Sequence, residues 1–246
     1  MTPPASARAA DPTTPTAAEF MRRRTTRLKL VIFDCDGVIV DSERLSNGVL
    51  AQDMTARGWP LSNDEAQHLF LGRSLEVIRA IMETHLTTPL PADWDRTIVE
   101  RIVAEMASGA VAIPGGIEAL HGITALGLPW RIASNSSHAE MRAKFARLAI
   151  APLVEGRVHS REDVALPKPS PDLFLHAAAT EGVTPQQCVV IEDSVAGASA
   201  ARAAGMDCLG FDRFEDGGAL RAVGATPFHD MRELPGLIAL ALEPRR

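Results

Sequence analysis

Short apolar runs that stop on a polar residue recur along this chain, with helical segments between them. The first covers residues 28–33 and stops at Asp34. "LPWRIAS" at 128–134 ends on Ser134, and a short run lies near 154–159. "CVVIED" at 188–193 ends on two acids, and "DCLGFD" at 207–212 ends on Asp212. Between them, segments 116–126, 138–148, 171–181 and 195–204 carry apolar residues at helical spacing. Strands alternating with helices predict an α/β chain with a doubly wound parallel sheet. Ligands of such sheets bind beyond the carboxyl ends of the strands. Several of Asp34, Ser134, Asp193 and Asp212 are therefore expected to converge on one crevice.

One long section breaks the alternation. Between residues 44 and 112 no convincing strand is seen. "RLSNGVLAQDMTARG", "SLEVIRAIMETHL" and residues 93–106 have helical spacing, with turns at Gly58-Trp59-Pro60 and residues 89–91. The expected architecture is a Rossmann-like core, residues 27–43 and 113–246, interrupted by a small helical-bundle insert of about four helices at 44–112. Residues 1–26 are rich in Ala, Pro and Thr and lack the apolar core of a secretion signal. They read as a disordered tail.

Composition narrows the function classes. Net charge is −6 with no long basic run in the body, which argues against nucleic acid as a partner. No apolar stretch is long enough to span a bilayer. Three widely spaced cysteines, Cys35, Cys188 and Cys208, fit neither a disulfide framework nor a zinc cluster, so a reducing cytoplasm is the expected home. The seven histidines show no metal-binding spacing, and no zinc site is expected from the sequence. A monomer is the default expectation.

"VIFDCDGVIVDSE" at 31–43 raises the chemical question. Asp34 and Asp36 stand one residue apart at the end of an apolar run. Like charges that close raise each other's pKa. A polar turn would explain Asp and Gly here. A site that gathers negative oxygens around a cation would also explain them. Alternation along an extended chain puts Asp34 and Asp36 on one side and Cys35 on the other. Lys168 lies in "LPKPSP", where flanking prolines restrict the backbone and could hold an ammonium in place.

Four segments stand in order: "DCDG" at 34–37, "ASNSS" at 133–137, "PKPSPD" at 167–172 and "IEDSVAGASAARAAGM" at 191–206. Together they resemble the haloacid dehalogenase superfamily, in its phosphatase and β-phosphoglucomutase-like branch, over roughly residues 28–240. The section at 44–112 resembles that family's helical cap. The resemblance implies a Mg²⁺-dependent phosphatase acting on a small phosphorylated metabolite, with sugar phosphates and phosphorylated sugar acids as the fitting class. It implies Asp34 as nucleophile and Asp36 as proton carrier. It implies Asp34, Asp36 (through its backbone carbonyl) and Asp193 as metal ligands, with Glu192 behind them. Ser134, Asn135 and Lys168 are expected to hold the phosphoryl group, and Gly72 and Arg73 of the cap to read the leaving group. Physically, a cation bridging carboxylate and phosphate oxygens removes the repulsion between them, and a fixed ammonium stabilises transition-state charge.

Two alternatives remain. Sugar phosphomutases of the β-phosphoglucomutase type usually carry a His twelve positions beyond the nucleophile, where this chain has Ser46. They also carry an Arg in a Gly-x-x-Arg cap loop, where here Arg73 directly follows Gly72. A non-catalytic binding protein on the same fold would be expected to lose the nucleophile or the acid, and both are present. Phosphonate-cleaving relatives need a cap lysine, and residues 44–112 contain none.

Overall fold

The computed structural model describes residues 15–70, 75–213 and 217–243. Helix α1 (Ala17–Arg23) leads to β1 (Leu30–Phe33), and a tight turn delivers β2 (Val40–Asp41). Four helices follow: α2 (Glu43–Ala56), α3 (Asn63–Phe70), α4 (Leu75–His85) and α5 (Trp94–Gly109). Strand β3 (Val111–Ala112) brings the chain back. The remainder alternates through α6 (Gly116–Ala125), β4 (Trp130–Ser134), α7 (His138–Arg147), α8 (Ala151–Val154), β5 (Val158–Ser160) and α9 (Asp172–Thr180). It ends with β6 (Cys188–Glu192), α10 (Val195–Ala203), β7 (Asp207–Phe211), α11 (Gly218–Ala222), β8 (Thr226–Phe228) and α12 (Leu234–Leu240).

The main sheet has the order β5-β4-β1-β6-β7-β8, and every pairing in it is parallel. Side chains alternate between its two covered faces. Val31, Phe33, Val189 and Ile191 join one apolar cluster, while Leu30, Ile32, Cys188 and Val190 join the other. Strands buried on both faces have to be apolar throughout, which is why β1 and β6 read as unbroken runs. The chain winds from β1 outward through β4 to β5, then crosses back to β6 on the other side of β1. That reversal opens a crevice at the carboxyl ends of β4, β1 and β6.

Three expectations are corrected. The supposed disordered tail is ordered from residue 15 onward. Thr16 and Glu19 form a capping box at the start of α1, and Ala17 and Met21 are buried in the core. Arg24 then ties the helix end to the carbonyl of Gln186 at 2.9 Å and to Asp207. A short helix takes its stability from tertiary burial more than from composition, so Ala- and Thr-rich sequence misled here. Residues 1–14 lie outside the described residues. The run at 154–159 begins as a helical turn, because Pro152 sits at its first turn, and the strand starts only at Val158. Finally, the helical section does contain a strand: β3 pairs antiparallel with β2, Val40 opposite Ala112. This two-stranded ribbon joins the entrance of the helical section to its exit. β8 also escaped the sequence reading, being three residues long with a proline inside.

Helices α2–α5 enclose an apolar cluster of their own, around Met54, Phe70, Met82, Trp94, Ile98 and Met106. Asp53 on α2 pins it. Its carboxylate accepts from the Trp94 indole at 2.8 Å, from Arg57 at 2.8 Å and from Arg101 at 2.6 Å. Burial works to raise the Asp53 pKa, but the Arg57 and Trp94 donors and the two guanidiniums outweigh it and hold it below the usual carboxylate value. Among the described residues no helix is long and apolar enough to cross a membrane.

Asp53→Ala leaves a buried indole N–H without its acceptor and is expected to cost about 2–3 kcal/mol of stability. A depressed folded-state pKa means the Asp53 contribution is present above the unfolded value of about 3.9 and is lost as pH falls through the folded value. Chemical unfolding followed by tryptophan fluorescence should show the wild type and Asp53→Ala differing at pH 7, and the gap closing below about pH 4.

Candidate active site

β1 delivers Asp34 to the crevice. The strand ladder runs on one step past its end, with the Asp34 N–H donating to the Ile191 carbonyl at 2.8 Å. Aligned registers (Phe33 opposite Ile132 and Ile191) bring Ser134, the last residue of β4, and Glu192, the last of β6, to the same level. Cys35 turns the other way into the apolar core, and burial pushes its thiol well above its ordinary pKa. It is no nucleophile.

The Lys168 ammonium is buried and bridges two acids, Asp34 Oδ1 at 2.6 Å and Glu192 Oε1 at 2.7 Å. Its Nζ also lies 4.5 Å from the centre of the Phe174 ring. Burial alone would lower the Lys168 pKa, but Asp34 and Glu192 outweigh it and hold it above the ordinary ammonium value. Asn135 fixes the backbone at this lysine from both sides: its Nδ2 donates to the Lys168 carbonyl at 3.0 Å and its Oδ1 accepts the Lys168 N–H at 2.9 Å. The Asn135 side chain thereby positions Lys168. Glu192 is likewise locked, its Oε2 accepting from the Ser194 N–H and hydroxyl at 2.8 Å each. Gly197 leaves the room: a Cβ there would fall 1.7 Å from Glu192 Oε1.

Asp36 sits in a different setting. Its carboxylate accepts from Ser134 Oγ at 3.0 Å, Ser136 Oγ at 2.8 Å, Lys144 Nζ at 2.5 Å and Ser42 Oγ. Burial works to raise its pKa, yet Lys144, Ser42 and Ser136 together hold it down at about 2. Asp34 goes the other way. Burial pushes it up to about 7, with Lys168 opposing and Glu192 and Asp36 adding to the rise. Ser42, Ser136 and Lys144 were missed by the sequence reading. Lys144 had left a signal, because it interrupts the apolar stripe Met141, Phe145, Leu148 on one face of α7 and is itself fully buried. Ser134 and Asn135 do not cap that helix, since Ser137 does so with Glu140.

Asp193 follows β6 directly, and Ser194, not Asp193, caps α10. Carboxylate oxygens of Asp34, Glu192 and Asp193 lie within 4.8 Å of one another. Three carboxylates converging on one point offer hard oxygen donors, which fit a divalent cation such as Mg²⁺. Gly37 makes the approach of Asp193 feasible. It has φ +75°, and a Cβ would stand 1.8 Å from Asp193 Oδ2. Asp212 does not join this group. Its Oδ2 accepts the Gly217 N–H at 3.0 Å, within the loop after β7. Gly72 and Arg73 lie outside the described residues.

Comparison with known proteins identifies the family. The family profile of the haloacid dehalogenase-like hydrolases matches residues 28–205. The chain is 28% identical to the 6-phosphogluconate phosphatase of Escherichia coli (strain K12), covering 86% of this chain and 95% of that one. It is 34% identical to hexitol phosphatase A of the same organism, over 73% of this chain and 81% of that one. Among solved structures, CbbY from Rhodobacter sphaeroides in complex with xylulose-(1,5)bisphosphate superposes with a TM-score of 0.72 at 26% identity, covering 84% of this chain and 96% of that one. With its acids and lysine gathered at the switch point of the sheet, the protein belongs to the haloacid dehalogenase-like hydrolases.

Proposed function

We propose that this phosphoric monoester hydrolase releases phosphate from a small sugar phosphate or phosphorylated sugar acid, with Mg²⁺, through an aspartyl-phosphate. The observation that carries this reading is the setting of Asp34: a buried ammonium at 2.6 Å on one side and the acid cluster with Asp193 on the other. With a divalent cation held by the acids, a phosphoryl group would be the anion that both the cation and the ammonium attract. Relatives named as sugar-acid and hexitol phosphatases support the substrate class.

Asp34 would attack phosphorus, since it stands at the strand end with its carboxylate facing the crevice. Asp34 and Asp193 would hold the Mg²⁺, which when bound neutralises developing charge on the phosphoryl oxygens. Asp34, as one of the residues that would hold the cation, would be ionised beside it. Lys168 would meet the phosphoryl oxygens from the opposite side. It comes preorganised, held by Asn135 through the backbone and by Glu192 through its ammonium. Ser134, whose hydroxyl donates to Asp36, would turn it toward the phosphoryl group. Asp36 would carry the proton to the leaving alkoxide and later take one from water. In the observed geometry it is an anion clamped by Lys144 and three hydroxyls. Proton transfer therefore requires it to leave that clamp. Ser42, at the N-terminus of α2 beside the β2–β3 ribbon, ties this release to the helical section, which we read as a cap.

The phosphomutase reading finds no support in the described residues. The Ser46 hydroxyl donates to the Ser42 carbonyl at 3.3 Å along α2, and an imidazole is missing from that position. A panel of phosphorylated metabolites, including β-glucose 1-phosphate, decides between the two. Phosphate release without isomerisation is expected, and isomerisation exceeding release would overturn the hydrolase assignment.

Asp34→Asn is expected to lower turnover at least about 10³-fold while leaving the circular dichroism spectrum unchanged. Appreciable residual turnover would remove Asp34 as nucleophile. Asp193→Ala should raise the half-saturating Mg²⁺ concentration at least about tenfold, measured by metal titration of phosphate release. Gly37→Ala forces a side chain into the left-handed region and onto Asp193. It should lower stability by about 1–2 kcal/mol and shift the Mg²⁺ titration in the same direction as Asp193→Ala.

A further inference from the structure

Three residues on successive elements meet beside β5. His159 is the middle residue of that strand, Asp163 ends the turn that follows it, and His176 lies on α9. One ligating atom from each lies within 4.8 Å of the others. The two imidazoles stand edge to face with ring centres 5.0 Å apart. His159 is buried, 6% exposed, and its Nε2 makes no hydrogen bond among the described residues. A buried imidazole nitrogen without a partner costs on the order of 1–3 kcal/mol in stability, so such groups call for an explanation.

We propose that His159, Asp163 and His176 form a second cation site, for a borderline transition-metal ion such as Zn²⁺, distinct from the carboxylate site at the strand ends. The donor set is two imidazoles and one carboxylate, which favours Zn²⁺ and its neighbours over Mg²⁺. Tetrahedral Zn²⁺ places its donors about 3.4 Å apart, as its bonds of ~2.1 Å require. His176 is exposed on α9, and rotation of its ring can close the remaining distance. The carboxylate is already oriented. Asp163 Oδ2 accepts the Ser160 N–H at 2.7 Å, and Oδ1 meets His138 Nε2 at 2.9 Å. Groups behind a ligand that fix its orientation are the usual support of a metal site.

Charge and protonation agree with the geometry. Burial, with His176 and Arg131 adding to it, lowers the His159 pKa to about 4, so the ring is neutral and ready to ligate at neutral pH. Burial works to raise Asp163, but the Ser160 N–H and His138 outweigh it and keep it ionised. Arg131 is the opposing cation, and its charge is met by Glu181 at 2.7 Å. The stretch between Asp163 and His176 contains Lys168. A cation held at both ends of that stretch closes a short loop around the active-site lysine, which restricts the unfolded chain more than the folded one. His138, behind Asp163, starts the helix that follows "ASNSS". The site thus clasps the two segments that flank the phosphoryl position.

Zn²⁺ titration of the full-length protein tests this, with Mg²⁺ saturating and a chromophoric chelator as competitor. One Zn²⁺ per chain is expected, with a rise in melting temperature as zinc is added. His176→Gln, at an exposed position, should weaken zinc binding at least about tenfold and abolish the rise. Asp163→Asn should weaken it as well, whereas Asp193→Ala should leave it unchanged. Zinc binding that is absent in the wild type overturns the proposal. So does binding that survives His176→Gln or disappears with Asp193→Ala.

Discussion

Four carboxylates crowd the ends of β1 and β6, and two buried ammoniums, Lys168 and Lys144, stand against them. Lys168 bridges Asp34 and Glu192, so each acid is met by an ion rather than by apolar neighbours. Removing one partner from such a buried set leaves a charge uncompensated, a loss of several kcal/mol, roughly 3–5 by general experience. The two aspartates of one short stretch are separated by this arrangement. Lys144 and the serine hydroxyls draw the Asp36 pKa down to about 2, while burial carries Asp34 up to about 7. One backbone turn thereby presents two carboxyl groups with different proton affinities, set by their surroundings.

The sheet makes the crowding feasible. Since β1 is flanked by β4 and β6, which belong to opposite windings, the loops after all three strands diverge and leave the strand ends open. Gly37 and Gly197 then supply space where a methyl group would collide, beside Asp193 and Glu192 respectively. The β2–β3 ribbon stands at the junction with the helical section, and Ser42 next to it donates to Asp36. A hydroxyl from this junction in contact with the Asp36 carboxylate gives the helical section a physical handle on the chemistry.

The order and type of most core elements were legible because burial on both faces demands apolar strands, and apolar strands ending in acids are conspicuous. Asp34, Ser134, Glu192 and Asp193 lie where such runs end, and Lys168 stood out by its flanking prolines; in the fold Lys168 meets Asp34 and Glu192, Asp193 lies beside them, and Ser134 meets Asp36. Other features escaped for identifiable reasons. α1 hid in a stretch of Ala, Pro and Thr because its stability comes from Met21 and Arg24 docking on distant parts of the chain. The three-residue strand β8 and the two-residue strands β2 and β3 are too short to show a period. Asp212 ends an apolar run like the others, yet its carboxylate closes a local loop. Asn135 was read as a phosphate ligand, while its amide matches the backbone of Lys168 in both directions.

By itself the sequence determined the alternation of strand and helix, the place of the helical section and the acids at the strand ends, since these follow from local periodicity and chain order. Tertiary structure decided which charges meet. Lys144 reaches Asp36 across 108 positions, and His159 meets His176 across 17, through strand order and helix docking. Distances of a few ångströms between such residues depend on how whole elements pack, and local spacing carries no record of that.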